Sequence, residues 1–107
     1  MNPLDSNALD TLFVKARTAN GFLDRPVAPE LLERVYELAA LAPTSMNTQP
    51  TRYVFLNSPA ARARLLPAMT PGNLDKTRSA PVTVIVATDT RFYEFMPKGW
   101  HREGAKE

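Results

Sequence analysis

The sequence predicts a mixed α/β fold of the α+β kind, with helices packed against a small sheet. Three observations lead there. Apolar residues recur at helical spacing over residues 8–17 and 29–42. Two short runs, Arg52-Tyr53-Val54-Phe55-Leu56 and Pro81-Val82-Thr83-Val84-Ile85-Val86-Ala87, are rich in β-branched and aromatic residues. Ten prolines in 107 residues are about twice the usual ~5%, and they stand mostly between these stretches, as in a compact fold with many short connections.

The first helix is expected over residues 8–17, capped by Asn7, with Asp10 favouring the positive helix end. Ala8, Leu9, Leu12, Phe13 and Ala16 share one face. Gly21 then supplies a left-handed stop. Arg17 has two readings: a bidentate guanidinium for a phosphate or carboxylate, or a cation balancing the helix dipole. Pro29 suits the first position of a second helix. Its buried stripe would be Leu31, Leu32, Val35, Leu38, Ala39 and Ala42, with Glu30, Glu33, Arg34 and Glu37 in water. Tyr36 reads as packing.

Ala42-Pro43 ends that helix, because proline disfavours helical geometry in the residue before it. The segment Thr44-Ser45-Met46-Asn47-Thr48-Gln49 follows, and Pro50 leads into the first strand. Such a polar rim suits a hydrogen-bonding ligand, and it also suits an ordinary helix-to-strand loop. Ser58-Pro59 is a cap followed by proline at the first helical position, and Pro67 ends that helix. Thr70-Pro71-Gly72 is a turn and residues 73–78 a short helix. The run at 82–87 is almost wholly apolar, so it is expected to be covered on both faces. Asp89 opens a turn or helix holding Phe92, Tyr93, Phe95 and Met96. Residues 97–107 lack apolar periodicity and are expected to be an irregular tail.

Composition narrows the function. One small domain fits 107 residues, and 44% apolar content allows a core. Thirteen Lys and Arg against eleven Asp and Glu leave a net charge of +2, without a basic block, so nucleic acid is not expected as a partner. No run is long enough to span a bilayer, and residues 1–10 lack the pattern of a signal peptide, so a cytoplasmic protein is expected. The absence of cysteine removes thiol nucleophiles and thiolate metal sites. The single histidine, His101, lies in the tail, so neither a catalytic triad nor a histidine metal site is expected. Enzymatic chemistry here would have to come from a cofactor.

Ala42-Pro43-Thr44-Ser45-Met46-Asn47-Thr48-Gln49-Pro50 resembles a signature of the FMN-dependent nitroreductase family, Ala-Pro-Ser-Ser or Ala-Pro-Ser-Ala followed by x-Asn-x-Gln-Pro. Arg17-Thr18-Ala19-Asn20 resembles its Arg-Ser-x-Arg, Asn73-Leu74-Asp75-Lys76 its Asn-x-x-Lys, and Ala80-Pro81 with the following strand its Ala-Pro-Val-x-Ile-Val. Four motifs in the family's order cover about residues 8–95. Within the family the resemblance is nearest to the malonic semialdehyde reductases, on residues 12–21, 72–77 and 89–94.

The resemblance implies a nitroreductase-like mixed sheet flanked by helices, incomplete in this chain, and a ping-pong oxidoreductase using FMN and NADH or NADPH. Arg17 would pair with the FMN phosphate. Thr18, Asn20 and Pro43 fall at flavin-site positions, although Asn20 replaces a basic residue of the family. Thr44, Ser45 and Asn47 would reach the flavin across a homodimer interface. Asn73 and Lys76 would bond the pyrimidine edge, where a cation offsets the negative charge that hydride transfer brings. A small molecule would be the substrate, and no side chain of the chain need act as nucleophile. Family chains are about twice as long. Residues 1–96 are therefore expected to be the N-terminal half of such a domain, inactive alone. The alternatives are a non-catalytic self-association module and an anion-binding module built on Arg17 and the 44–49 turn.

Overall fold

The structure, a computed structural model, describes residues 1–96. The expected tail at 97–107, with His101, lies outside the described residues. Helix α1 (Ser6–Leu9) begins two residues earlier than the apolar spacing indicates. Asp5, Ser6 and Asn7 all have capping side chains, and Asp5 takes the role, its carboxylate accepting the Ala8 N–H at 2.7 Å. A charge-assisted bond is stronger than the amide cap expected from Asn7. Asn7 lies inside the helix, where its carbonyl accepts the Thr11 hydroxyl at 2.8 Å.

The chain then widens into a π-helical turn, Asp10–Val14, closed by the Lys15 N–H donating to the Asp10 carbonyl at 2.8 Å. The Lys15 ammonium also pairs with the Asp10 carboxylate. Regular structure therefore ends at Val14 rather than Arg17. Gly21 does not adopt the left-handed conformation expected of a helix stop, since the helix has ended well before it.

Helix α2 (Pro29–Ala40) starts at the expected proline. Its apolar stripe is present but mostly open. Only Leu32 and Ala39 are half-buried, whereas Leu31, Val35 and Leu38 are exposed, because no element of the described chain covers that face. The expectation of a buried stripe is corrected to that extent. Tyr36 does pack, its ring meeting Tyr53 edge-on at 5.9 Å.

Strand β1 (Thr51–Leu56) pairs antiparallel with β2 (Thr83–Thr88), in a register running from Thr51↔Thr88 to Leu56↔Thr83. These two strands form the whole sheet among the described residues. The expectation that the 82–87 run is covered on both faces fails: Val84, Ile85 and Val86 are exposed. The run has the composition of an inner strand, yet each of the two strands has one unpaired edge.

Between the strands, α3 (Pro59–Leu65) is capped by Ser58, whose hydroxyl accepts the Ala61 N–H at 3.1 Å. It ends in a 3₁₀ turn, Leu66–Ala68, that accommodates Pro67. A second such turn, Pro71–Asn73, feeds α4 (Leu74–Ser79). Packing is tightest where α4 meets α3 and β2 follows. Thr77 and Ala80 are buried there, and Met96 is the third buried residue among those described. Arg62 of α3 donates from Nη1 to the Pro81 carbonyl at 2.8 Å, tying α3 to the α4–β2 junction.

Candidate functional site

The 42–50 segment forms a tightly bonded turn. Its backbone closes through the Asn47 N–H to the Thr44 carbonyl and the Thr48 N–H to the Ser45 carbonyl, each 3.1 Å. The Thr44 hydroxyl accepts the Gln49 N–H at 3.1 Å, and the Gln49 side-chain amide donates to Asn47 Oδ1 at 2.8 Å. Three residues without glycine's freedom are left-handed: Met46 at φ 51°, Asn47 at 55° and Gln49 at 44°. Such conformations are uncommon outside glycine and cluster at functional sites. The Ser45 hydroxyl and the Asn47 amide nitrogen have no hydrogen-bond partner among the described residues, and both residues are exposed. Pro43 is exposed just before the turn.

A cavity of about 440 Å³ opens beside this turn, lined by Tyr36 and Ala39 of α2, Thr44 and Gln49, and Arg52 and Tyr53 of β1. Of the expected site residues, only Thr44 borders it.

Asn73 and Lys76 form a second group. Asn73 ends the turn that enters α4, with its amide nitrogen donating to the Thr70 hydroxyl at 3.2 Å. Its carbonyl oxygen has no partner among the described residues. Lys76 lies one position short of the buried Thr77 and is itself half-buried. Its ammonium forms no ion pair among the described residues; the acids that do pair are Asp10, Glu37, Asp89, Asp75 and Glu94.

Arg17, Thr18 and Asn20 form a third group, exposed beyond the π-helical turn. Arg17 Nη1 donates to the Val14 carbonyl at 3.2 Å and the Ala16 carbonyl at 2.7 Å. The helix-end reading of Arg17 is thus realised, while the other nitrogens of its fork carry no protein bond among the described residues. No hydrogen bond or ion pair among the described residues joins these three groups to one another.

Two polar residues that sequence reasoning passed over stand at the base of the turn. Arg52 and Asp89 pair at 2.9 Å across the end of the sheet. Equal-length strands paired antiparallel would have brought them together, but nothing in the spacing of the motifs declared that pairing. Among the described residues no group of three or more His, Cys, Asp or Glu could hold a metal, and no helix is long and apolar enough to cross a membrane.

A small antiparallel sheet flanked by helices, with a tightly bonded polar turn entering one strand and a lysine without an ion pair among the described residues before the other, defines a mixed α/β protein. Comparison with known proteins gives this class its family. The family model described as the nitroreductase family matches residues 14–84, and the chain belongs to that family. It is 53% identical over 94 residues to a provisionally named NADH dehydrogenase/NAD(P)H nitroreductase of Stenotrophomonas maltophilia (strain R551-3), covering 88% of this chain and 48% of that one. A protein of Leptothrix cholodnii with the same provisional name is 50% identical over 105 residues, 97% of this chain and 53% of its own.

Among solved structures, the chain resembles a nitroreductase family protein of Streptococcus pneumoniae TIGR4, with a TM-score of 0.71 and 31% identity, over 78% of this chain and 41% of that one. A provisionally assigned nitroreductase of Exiguobacterium sibiricum 255-15, solved with FMN, shares the fold at a TM-score of 0.72 and 22% identity, over 92% and 45% of the two chains. The chain spans about half the length of the curated relatives it matches.

Proposed function

We propose that the chain is the flavin-binding part of an FMN-dependent NAD(P)H oxidoreductase. One observation carries the reading: Lys76 is half-buried beside the tightest packing in the molecule, without a counter-charge among the described residues. An ammonium so placed is open to an anionic or strongly accepting group of a ligand. Asn73, one turn earlier, adds an amide whose oxygen has no partner among the described residues. An amide and a cation together suit the pyrimidine edge of a flavin, which offers both donors and acceptors.

The donor set fits FMN. FMN, when bound, would supply the redox chemistry, the relay of a hydride from NAD(P)H to a small-molecule acceptor. The Lys76 ammonium stabilises negative charge arriving at that edge. Asn73 orients the edge. The Arg17 nitrogens that carry no bond among the described residues would present a planar fork to a phosphate, with the Thr18 hydroxyl nearby in sequence. Ser45 and Asn47 offer a hydroxyl and an amide from the rigid turn. Because the three groups are not joined within one chain, a homodimer that brings the turn of one copy to the flavin of the other is part of the proposal.

The substrate we propose is malonic semialdehyde, reduced to 3-hydroxypropionate. It is supported by the stretches 12–21, 72–77 and 89–94. We further propose that residues 1–96 represent the N-terminal half of the complete domain and that this chain alone binds FMN without turnover. The open apolar surface of α2 and β2 supports that view, because such faces call for cover by further protein. The same surface favours the second reading, a non-catalytic self-association module.

Comparing FMN with riboflavin tests the flavin reading. In a fluorescence titration FMN should bind about tenfold more tightly, as expected for a charge-assisted phosphate contact. Arg17→Ala should remove the difference. Equal affinity of the parent chain for both ligands would refute the phosphate role of Arg17.

A further inference from the structure

We propose that Arg52, held by Asp89 and Phe95, is a positioning residue that fixes the 44–49 turn. Its consequence for function rests on the reading of that turn as part of a flavin pocket. Arg52 Nη1 donates to the Gln49 carbonyl at 2.8 Å and to the Thr51 carbonyl at 3.1 Å. Its Nη2 donates to Asp89 Oδ2 at 2.9 Å, and the guanidinium carbon lies 5.8 Å from the centre of the Phe95 ring. Asp89 is itself fixed: its N–H donates to the Pro50 carbonyl at 2.8 Å, and its Oδ1 accepts the Arg91 N–H at 2.9 Å. One planar cation thus bridges the turn, the end of β2 and the aromatic segment beyond it.

Gln49 is where this bridge acts on the turn. Its N–H is bound to the Thr44 hydroxyl, its side chain to Asn47, and its carbonyl to Arg52. A left-handed glutamine relaxes toward the ordinary region when such anchors are lost. Relaxation there would carry Asn47 and Ser45 out of place. Lysine cannot substitute, because one ammonium does not present a flat fork to a carbonyl and a carboxylate while lying over a ring. The Arg52–Asp89 pair is partly solvent-exposed, with side-chain exposures of 46% and 26%. Such a pair contributes little to global stability, so positioning and stability are separable.

Amide hydrogen exchange on the full chain, with FMN titration alongside, tests the proposal. Arg52→Lys should speed exchange at Thr48 and Gln49 about tenfold, as a local opening does. The amides of residues 53–56 and the urea midpoint should stay as in the parent. Asp89→Asn should act in the same direction but less, since it keeps a neutral acceptor for Arg52. Unchanged exchange at Thr48 and Gln49, or uniform acceleration along the chain, would overturn the positioning role. The flavin arm is read separately. A parent that takes no FMN while the exchange pattern holds defeats the flavin reading and leaves the role of Arg52 standing. A parent that binds FMN, with Arg52→Lys binding it equally well and exchanging equally slowly, overturns the inference.

Discussion

Met46, like Gln49, is a costly residue of the turn, because an ordinary side chain is held at φ 51°. A non-glycine residue in this region costs on the order of 1–3 kcal/mol. Met46→Gly relieves that strain but gives the unfolded chain more freedom, worth about 0.4–1 kcal/mol in the other direction. The expected net effect is a urea midpoint equal to or slightly above the parent's, with weaker FMN binding because the turn loses rigidity. A clearly lower midpoint would mean that the left-handed conformation is not strained. None of this could be read from the sequence, since the segment contains no glycine to announce positive φ. Asn47 alone is of a type that tolerates it. Arg17 shows the reverse case. Both of its readings followed from residue type, and the structure realises the helix-end contacts through one nitrogen while leaving others available.

Elements were legible where capping and proline chemistry acted locally. Pro29 starts α2, and Ser58-Pro59 starts α3, as the residues indicate. Ser58→Ala should therefore cost about 1 kcal/mol, the usual value of an N-cap, and lower the urea midpoint accordingly. Arg62→Met should cost more, about 1–3 kcal/mol, because the Pro81 carbonyl would be left without its donor in a partly buried place. That loss would be offset in part, since Arg62 Nε is already buried without a partner among the described residues. If Arg62→Met unfolds at the same urea concentration as the parent, the α3 tie to the α4–β2 junction is not structural. The start of α1 was misplaced because three capping residues stand in a row and only geometry chooses among them. Its end was misplaced because apolar spacing continues through a π-helical turn, which period alone does not distinguish. The residues of α4 were recognised as a helix, but its place in the tightest packing was not, since Thr77 and Ala80 form no apolar stripe.

At the scale of the molecule the dominant fact is how much apolar surface stays open. Leu31, Val35 and Leu38 on α2 and Val84, Ile85 and Val86 on β2 contribute to it. Patches of this kind mark surfaces that other protein covers. The mean mass in sedimentation should therefore rise with concentration, and Leu31→Lys with Leu38→Lys should suppress the rise; a strict monomer at all concentrations would contradict that. The helical and strand patterns were legible while their burial was not, because burial depends on what packs against a face, and no described element packs there. Gel filtration of the chain with FMN, in parallel with Lys76→Ala, tests the central claim most directly. The predicted result is flavin absorbance co-eluting with the parent and an affinity about tenfold lower in Lys76→Ala, as for loss of a charge-assisted contact. Equal flavin retention by both proteins, or none by the parent, would contradict it.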